Sequence, residues 1–314
     1  MSLPINLVNR IIKIEAYIGI SRCQSEDIDE MIKKSFSALR HGKKNREIIS
    51  YYSKELELID KDRLVFEFEL KEAIKKKDFV VYYQKQISTE QNKVTGVEAL
   101  VRWIHKENGI IPPDRFIPVA EELDLIKDIE AIVLEKSIEE TKVLREKFGI
   151  KLAINLSNKQ FNDEAFFYKV EAYNMDMSFL EIEITESIAI IEFEKSLEMI
   201  NRYKKLGIGI AIDDFGTGYS LLSHLKNLPI DVIKIDKSFI CNLEQSKGDQ
   251  TLVQAVLLIA ETLEIGVIVE GVENEVQLEL LKDLGCTQFQ GYYFDRPKPI
   301  KDLENELEIT RGII

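Results

Sequence analysis

The sequence predicts an α/β protein, a (β/α)8 TIM-type barrel with one antiparallel strand, preceded by a short α/β remnant. Three observations carry that prediction. From residue 79 onward, short runs rich in Val, Ile, Leu and Tyr alternate with longer segments of helical period. Eight such runs occur, the number that closes a barrel, and glycines punctuate the joints between them.

The runs fall at 79–87, 94–103, 151–156, 180–185, 208–213, 231–236, 267–270 and 287–290. Only residues 88–93 separate the first two, too few for a crossover helix, so that pair is expected to be an antiparallel hairpin. Helices are expected at 129–148, 192–206 and 249–263, with Gly149, Gly207, Gly266 and Gly285 at or just beyond helix ends, where a left-handed cap suits glycine. Ahead of the first strand, a helix over 64–77 sets Phe66, Leu70, Ala73 and Ile74 on one apolar face and is expected to pack on the barrel. Residues 1–57 differ in character. An Ile-rich strand at 16–20 precedes Ser25-Glu26-Asp27-Ile28-Asp29-Glu30, which opens a helix ending near His41-Gly42. That stretch is too short to bury a core of its own, so domains are expected at 1–57 and 58–314.

The 314 residues accommodate one barrel of about 250 plus a smaller piece. A formal net charge of −13 argues against a DNA or RNA polymer as partner, and against a membrane surface, since either needs a field of cations. The three cysteines, Cys23, Cys241 and Cys286, form no CxxC pair, so neither a disulfide framework nor a thiolate zinc site is indicated, and a cytoplasmic location is expected. No apolar run is long enough to span a bilayer. The opening Met1-Ser2-Leu3 leaves room for a longer protein with a membrane anchor upstream.

In such a barrel, reactive groups project from the C-terminal ends of several strands into one bowl. The strands above put Asn155, Glu183, Asp213, Asp214, Glu270 and Gln290 at or near such ends, with Glu98 on the second strand. Gathering five carboxylates is self-repulsive without compensation. Lys234 and Arg102 supply two charges at most, so one or two divalent ions are the expected remainder. None of the three histidines lies at a strand end, and an oxygen-only donor set favours Mg²⁺ or Mn²⁺ over zinc. The adjacent Asp213-Asp214 lets one carboxylate bridge two ions while its neighbour ligates the second, which suits two-metal phosphoryl chemistry. Each feature has a plainer reading by itself: Glu-Ala-Leu as helix formers, Asp-Asp as a turn or cap, Asn155 as a cap, Gln84 as an exposed amide. The plain account must then explain separately why all sit at one end of different strands.

In this order the motifs resemble the EAL domain family. They are Glu98-Ala99-Leu100-Val101-Arg102-Trp103, Ile154-Asn155-Leu156-Ser157, Glu183-Ile184-Thr185-Glu186-Ser187, Asp213-Asp214-Phe215-Gly216-Thr217-Gly218-Tyr219-Ser220, Lys234-Ile235-Asp236-Lys237-Ser238-Phe239, Glu270-Gly271-Val272-Glu273 and Gln290-Gly291-Tyr292. The resemblance implies a divalent-metal-dependent phosphodiesterase that opens cyclic di-GMP to linear pGpG, working as a homodimer through the barrel. It implies Glu98, Asn155, Glu183 and Asp213 as ligands of one metal, with Asp213 and Asp214 at a second. Lys234 would contact the attacking water or the scissile phosphate, and Glu270 and Gln290 would organise the water network. Arg102 would bind phosphate and Gln84 substrate. Glu186 would anchor the loop Phe215, Gly216, Thr217, Gly218, which with Glu273 joins the metal site to the dimer interface. EAL-like domains lacking ligands act as cyclic di-GMP receptors, so a catalytically silent binding module is the alternative; an unrelated barrel hydrolase or a scaffold is a third. Departures from the family's pattern are Lys85 in place of a usual Pro, Leu221 in place of a second Ser, and Asn274 where Thr is frequent. Ile18-Gly19-Ile20-Ser21 through Ala38-Leu39 to Lys43-Lys44-Asn45 resembles the last strand and helix of a GGDEF domain, without that domain's own motif.

Overall fold

The computed structural model describes residues 4–7, 10–13, 16–22, 27–216 and 222–310. The chain divides into two compact units, Met1–Glu72 and Ala73–Ile314. The division falls inside a continuous helix, Lys54–Lys76, which runs through the residues where the sequence suggests a boundary.

In the first unit a hairpin pairs Pro4–Leu7 with Arg10–Lys13. Beyond it, Ile18–Ile20 lies parallel to Ile49–Tyr51, joined by the helix Ile28–Asn45. Asp27 starts that helix by accepting from the Asp29 and Glu30 amides, the usual work of an N-cap aspartate. Along Lys54–Lys76, Leu70 and Ala73 are buried, as the apolar spacing predicts.

The second unit is a closed barrel. Its strands, numbered β1–β8, are Phe79–Ser88, Lys93–His105, Lys151–Asn155, Leu180–Thr185, Gly209–Phe215, Val232–Ile235, Gly266–Val269 and Gln288–Phe289. All eight runs seen in the sequence are present. Neighbours from β2 through to β8 pair parallel. β1 runs antiparallel to both β2 and β8 and closes the ring, because the short connection after β1 permits only a hairpin.

Strand alternation sorts the side chains. Ala211, Val232 and Ile268 form a small apolar cluster, and each stands two residues before a polar group: Asp213, Lys234 and Glu270. Ile233 and Ile235, of the other parity, are buried as well, as expected for strands covered on both faces. Space inside the ring is short: a Cβ on Gly96 would come within 2.4 Å of Gln86 Oε1.

Some helices differ from expectation. The segment read as one helix over 129–148 is two, Ile126–Glu140 and Lys142–Phe148. Thr141 Oγ1 donates to the Ser137 carbonyl at 2.6 Å at the break, beside the backbone bond from the Thr141 amide at 3.0 Å, the back-bonding that bends helices. Gly149, Gly207 and Gly285 have positive φ at helix ends, as predicted. Gly266 does not; it opens β7, and Glu264 takes the left-handed conformation instead. No described helix is long and apolar enough to cross a membrane.

Candidate active site at the barrel mouth

Pairing register assembles the site. Gln84 faces Glu98 across the β1–β2 ladder, and Asn155 is registered with Glu183. Between β5 and β6 the register slips by one residue after Ile212, a bulge that falls on Asp213 and Asp214; Asp214 takes φ +53 there. Bulges re-aim side chains at barrel rims. Asp213 stays with the cluster while Asp214 is exposed at the rim.

At the centre stands Lys234, fully buried. Its Nζ lies 2.6 Å from Glu270 Oε1, 2.7 Å from Glu183 Oε2, 3.4 Å from Asp213 Oδ1 and 3.5 Å from Glu98 Oε2. Asn155 Nδ2 donates to Glu98 Oε1 at 2.7 Å. Gln290 Nε2 donates to the other oxygen of Glu98 and, at 3.2 Å, to Gln84 Oε1. Gln84 Nε2 in turn donates to the Asp295 carbonyl at 3.0 Å. The predicted residues Glu98, Asn155, Glu183, Asp213, Lys234, Glu270, Gln84 and Gln290 are thus one connected network.

One ammonium against four carboxylates leaves the site short of positive charge. Burial and the neighbouring Glu98 push the Glu183 carboxyl well above the usual range. Burial raises Glu270 to about 7, with Lys234 pulling the other way. Burial would raise Glu98 too, but Lys234 and the bonds from Gln290 and Asn155 outweigh it and hold Glu98 low. Lys234 is held well above its ordinary value: burial opposes its charge, and the four carboxylates overcome that. Burial and Asp213 raise Asp214.

Three buried oxygens in this mouth, Glu183 Oε1, Asp213 Oδ1 and Gln290 Oε1, make no hydrogen bond. Buried acceptors of this kind ask for a ligand or an ion. Among the described residues no three His, Cys, Asp or Glu side chains are drawn together as ready-made metal ligands; the carboxylates converge on Lys234 instead. The donor chemistry, carboxylate and amide oxygens with unused lone pairs, fits a hard divalent cation.

Arg102 stands apart from that network. Four residues beyond Glu98, or about 13 Å along an extended strand, it lies 5.5 Å from the centre of the Tyr82 ring, and burial lowers its pKa. Glu186 is buried and its Oε2 accepts from the Gly216 amide at 3.3 Å. Gly216 has φ +97, and a Cβ there would lie 2.6 Å from Phe239 Cζ, so glycine is required. Phe215 is buried. Thr217 and Gly218 lie outside the described residues. Glu273 is exposed, its amide donating to Gln277 Oε1 at 2.8 Å.

Sequence reasoning missed Glu130. On the helix Ile126–Glu140 it accepts from the Ser157 amide at 2.6 Å and from Ser157 Oγ at 3.0 Å. Ser157 caps the short helix that begins just after Asn155, so Glu130 holds the turn that carries this site residue. The available signal was an acidic residue next to Ile129 and four after Ile126, on an otherwise apolar face.

The family model described as EAL domain matches residues 67–297. The chain is 34% identical over 309 residues to the signaling protein YkoW of Bacillus subtilis, covering 96% of this chain and 39% of that protein. It is 33% identical over 321 residues to the cyclic di-GMP phosphodiesterase NbdA of Pseudomonas aeruginosa, covering 99% and 41%. The chain therefore spans about two fifths of the length of these relatives. Among solved structures, a PaMucR phosphodiesterase in complex with c-di-GMP superposes with a TM-score of 0.72 at 36% identity, over 75% of this chain and 98% of that one.

Proposed function

We propose, from the premise that this chain belongs to the EAL domain family, that its barrel mouth hydrolyses cyclic di-GMP to linear pGpG with the help of Mg²⁺ or Mn²⁺. The observation that carries the reading is the convergence of Glu98, Glu183, Asp213 and Glu270 on Lys234, with the amides of Asn155, Gln84 and Gln290 bonded into the same cluster. A relative named a cyclic di-GMP phosphodiesterase and a structural neighbour in complex with c-di-GMP support the substrate.

Glu98, Asn155, Glu183 and Asp213 would hold one cation, and Asp213 with Asp214 a second. The cations supply Lewis-acid neutralisation of charge on the phosphoryl oxygens. The water oxygen bonds to phosphorus, the bond from phosphorus to the 3′ oxygen breaks, and that oxygen takes a proton. Glu270, whose carboxyl burial raises to about 7, is suited to take the proton of the attacking water near neutral pH. Lys234 stays protonated and offers its N–H groups to the phosphate or the water. Arg102 neutralises a phosphate, and Gln84 contacts the nucleotide from β1.

The same reading makes the active form a homodimer through the barrel, working in the cytoplasm. The bond from Gly216 to Glu186 is the described start of a loop that, with Glu273, would link the site to that interface. The βαβ unit Ile18–Ile20, Ile28–Asn45 and Ile49–Tyr51 is read as the end of a GGDEF-like domain in front.

The test is incubation with cyclic di-GMP in Mg²⁺ or Mn²⁺ against EDTA, beside Glu98→Ala, with chromatography for pGpG. Turnover by the unmodified chain alone, lost in EDTA and in the variant, is the expected result. Binding without turnover selects the receptor reading, and absence of binding removes the substrate assignment.

A further inference from the structure

We propose that Lys85, Asp295, Lys298 and Glu306 form a positioning device for substrate that acts through Gln84; the inference rests on the reading of the barrel mouth above. It starts from a buried charge with no part in the chemistry. Along β1 successive side chains point to opposite faces. Gln84 meets the cluster around Glu98, and Lys85 leaves on the other side, yet Lys85 is only 6% exposed. A lysine is buried to this degree only when its charge is matched.

The match is a closed square of alternating charge. Lys85 Nζ bonds to Glu306 Oε1 and lies 3.4 Å from Asp295 Oδ2. Lys298 Nζ lies 2.7 Å from Asp295 Oδ1 and 2.6 Å from Glu306 Oε2. Each cation touches both carboxylates, so the charges cancel. The square joins three pieces of chain: β1, the segment that follows β8, and the C-terminal helix Ile300–Thr310. Otherwise that segment is held to β1 by a two-residue pairing, Lys298 with Tyr83 and Pro299 with Tyr82. Inside it, the Asp295 amide donates to the Gly291 carbonyl at 3.1 Å.

Asp295 faces both ways. Its carboxylate belongs to the square, while its carbonyl accepts from Gln84 Nε2 at 3.0 Å. An amide has donors at one end and an acceptor at the other, so this bond sets the direction of Gln84 and turns its Oε1 toward Gln290 Nε2, 3.2 Å away. That nitrogen also serves Glu98, which leaves Gln290 Oε1 buried in the mouth without a hydrogen bond. If Gln84 flipped, its nitrogen would face the Gln290 nitrogen, donor against donor; if Gln290 flipped, its oxygen would face Gln84 Oε1 and Glu98, acceptor against acceptor. The square fixes the Asp295 carbonyl, the carbonyl orients Gln84, and Gln84 with Glu98 orients Gln290.

The experiment uses the full chain with Lys85→Met, which keeps length and removes the charge, and Glu306→Gln as a milder variant at the less buried corner. Both are expected to raise KM for cyclic di-GMP by about tenfold, with kcat changed less than about threefold. Lys85→Met added to Gln84→Ala is expected to cost nothing further in kcat/KM, because both act at one point; multiplied losses would overturn the proposal. A second readout needs no turnover. With ¹⁵N-glutamine labelling and no nucleotide or metal, the side-chain amide signals of Gln84 and Gln290, assigned by substitution, should shift in Lys85→Met and in Glu306→Gln. Unmoved signals would overturn the device whatever the activity. Moved signals in a chain that does not cleave cyclic di-GMP would uphold it and refute only the assigned reaction.

Discussion

Replacing Glu130 by Gln should flatten part of the pH dependence of stability. Burial raises the Glu130 carboxyl from 4.5 to about 8, against the pull of two bonds from Ser157. A carboxyl whose pKa is higher in the folded state binds its proton more tightly there. Its contribution is fully present below about pH 4.5 and is lost as pH rises through about 8. At about 1.4 kcal/mol per pH unit, the displacement sets a ceiling of about 5 kcal/mol. Glu130 is only partly buried, and screening by water at its edge brings the expected figure to about 2–3 kcal/mol. For a unit of this size that is about 4–12 °C in Tm. Gln keeps an acceptor for the Ser157 amide and carries no charge. Calorimetry in EDTA from pH 5 to 9 should show the unmodified chain losing Tm relative to Glu130→Gln as pH rises from about 5, the gap levelling off above about pH 8. The active-site carboxylates are common to both proteins and cancel in the difference. Parallel curves would refute the reasoning.

Lys234→Met should lower metal-free stability by about 3–5 kcal/mol, because it strips two buried and two partly buried carboxylates of their counter-charge. Millimolar Mg²⁺ or Mn²⁺ should recover part of the loss in a thermal melt, and no recovery would count against a cation site among these oxygens. Glu98→Gln should cut phosphodiesterase kcat by at least about a hundredfold, and because Gln can accept from Asn155 only by turning its own amide nitrogen toward Gln290 Nε2, the EDTA melt should also fall, by about 1–3 kcal/mol. Gly216→Ala should cost about 1–3 kcal/mol through its positive φ and the Phe239 contact. If the loop couples the site to the dimer, sedimentation should show weaker self-association in that variant beside reduced activity.

The helix read over 129–148 shows where local reasoning stops: nothing in its periodicity marks the break at Thr141, where side chain and backbone amide both bond to the Ser137 carbonyl. Gly266 shows the same limit, since a glycine near a helix end serves as a cap only if the next element begins late enough to need one. Glu130 escaped notice because its partner is a backbone amide on another segment. Lys85 was visible as a departure, but its two carboxylate partners, Asp295 and Glu306, lie more than 200 residues away in sequence.

The sequence by itself determined the eight strands, the one reversed strand and the strand ends at which the polar groups fall. Those properties follow from side-chain alternation and from the length of each connection, both local along the chain. Only the tertiary structure decided that Lys234 sits at the centre of four carboxylates, that the bulge separates Asp213 from Asp214, and that Gln84 is aimed by Asp295. These depend on register across the barrel and on how buried charges balance over a few ångströms, quantities set by every strand together.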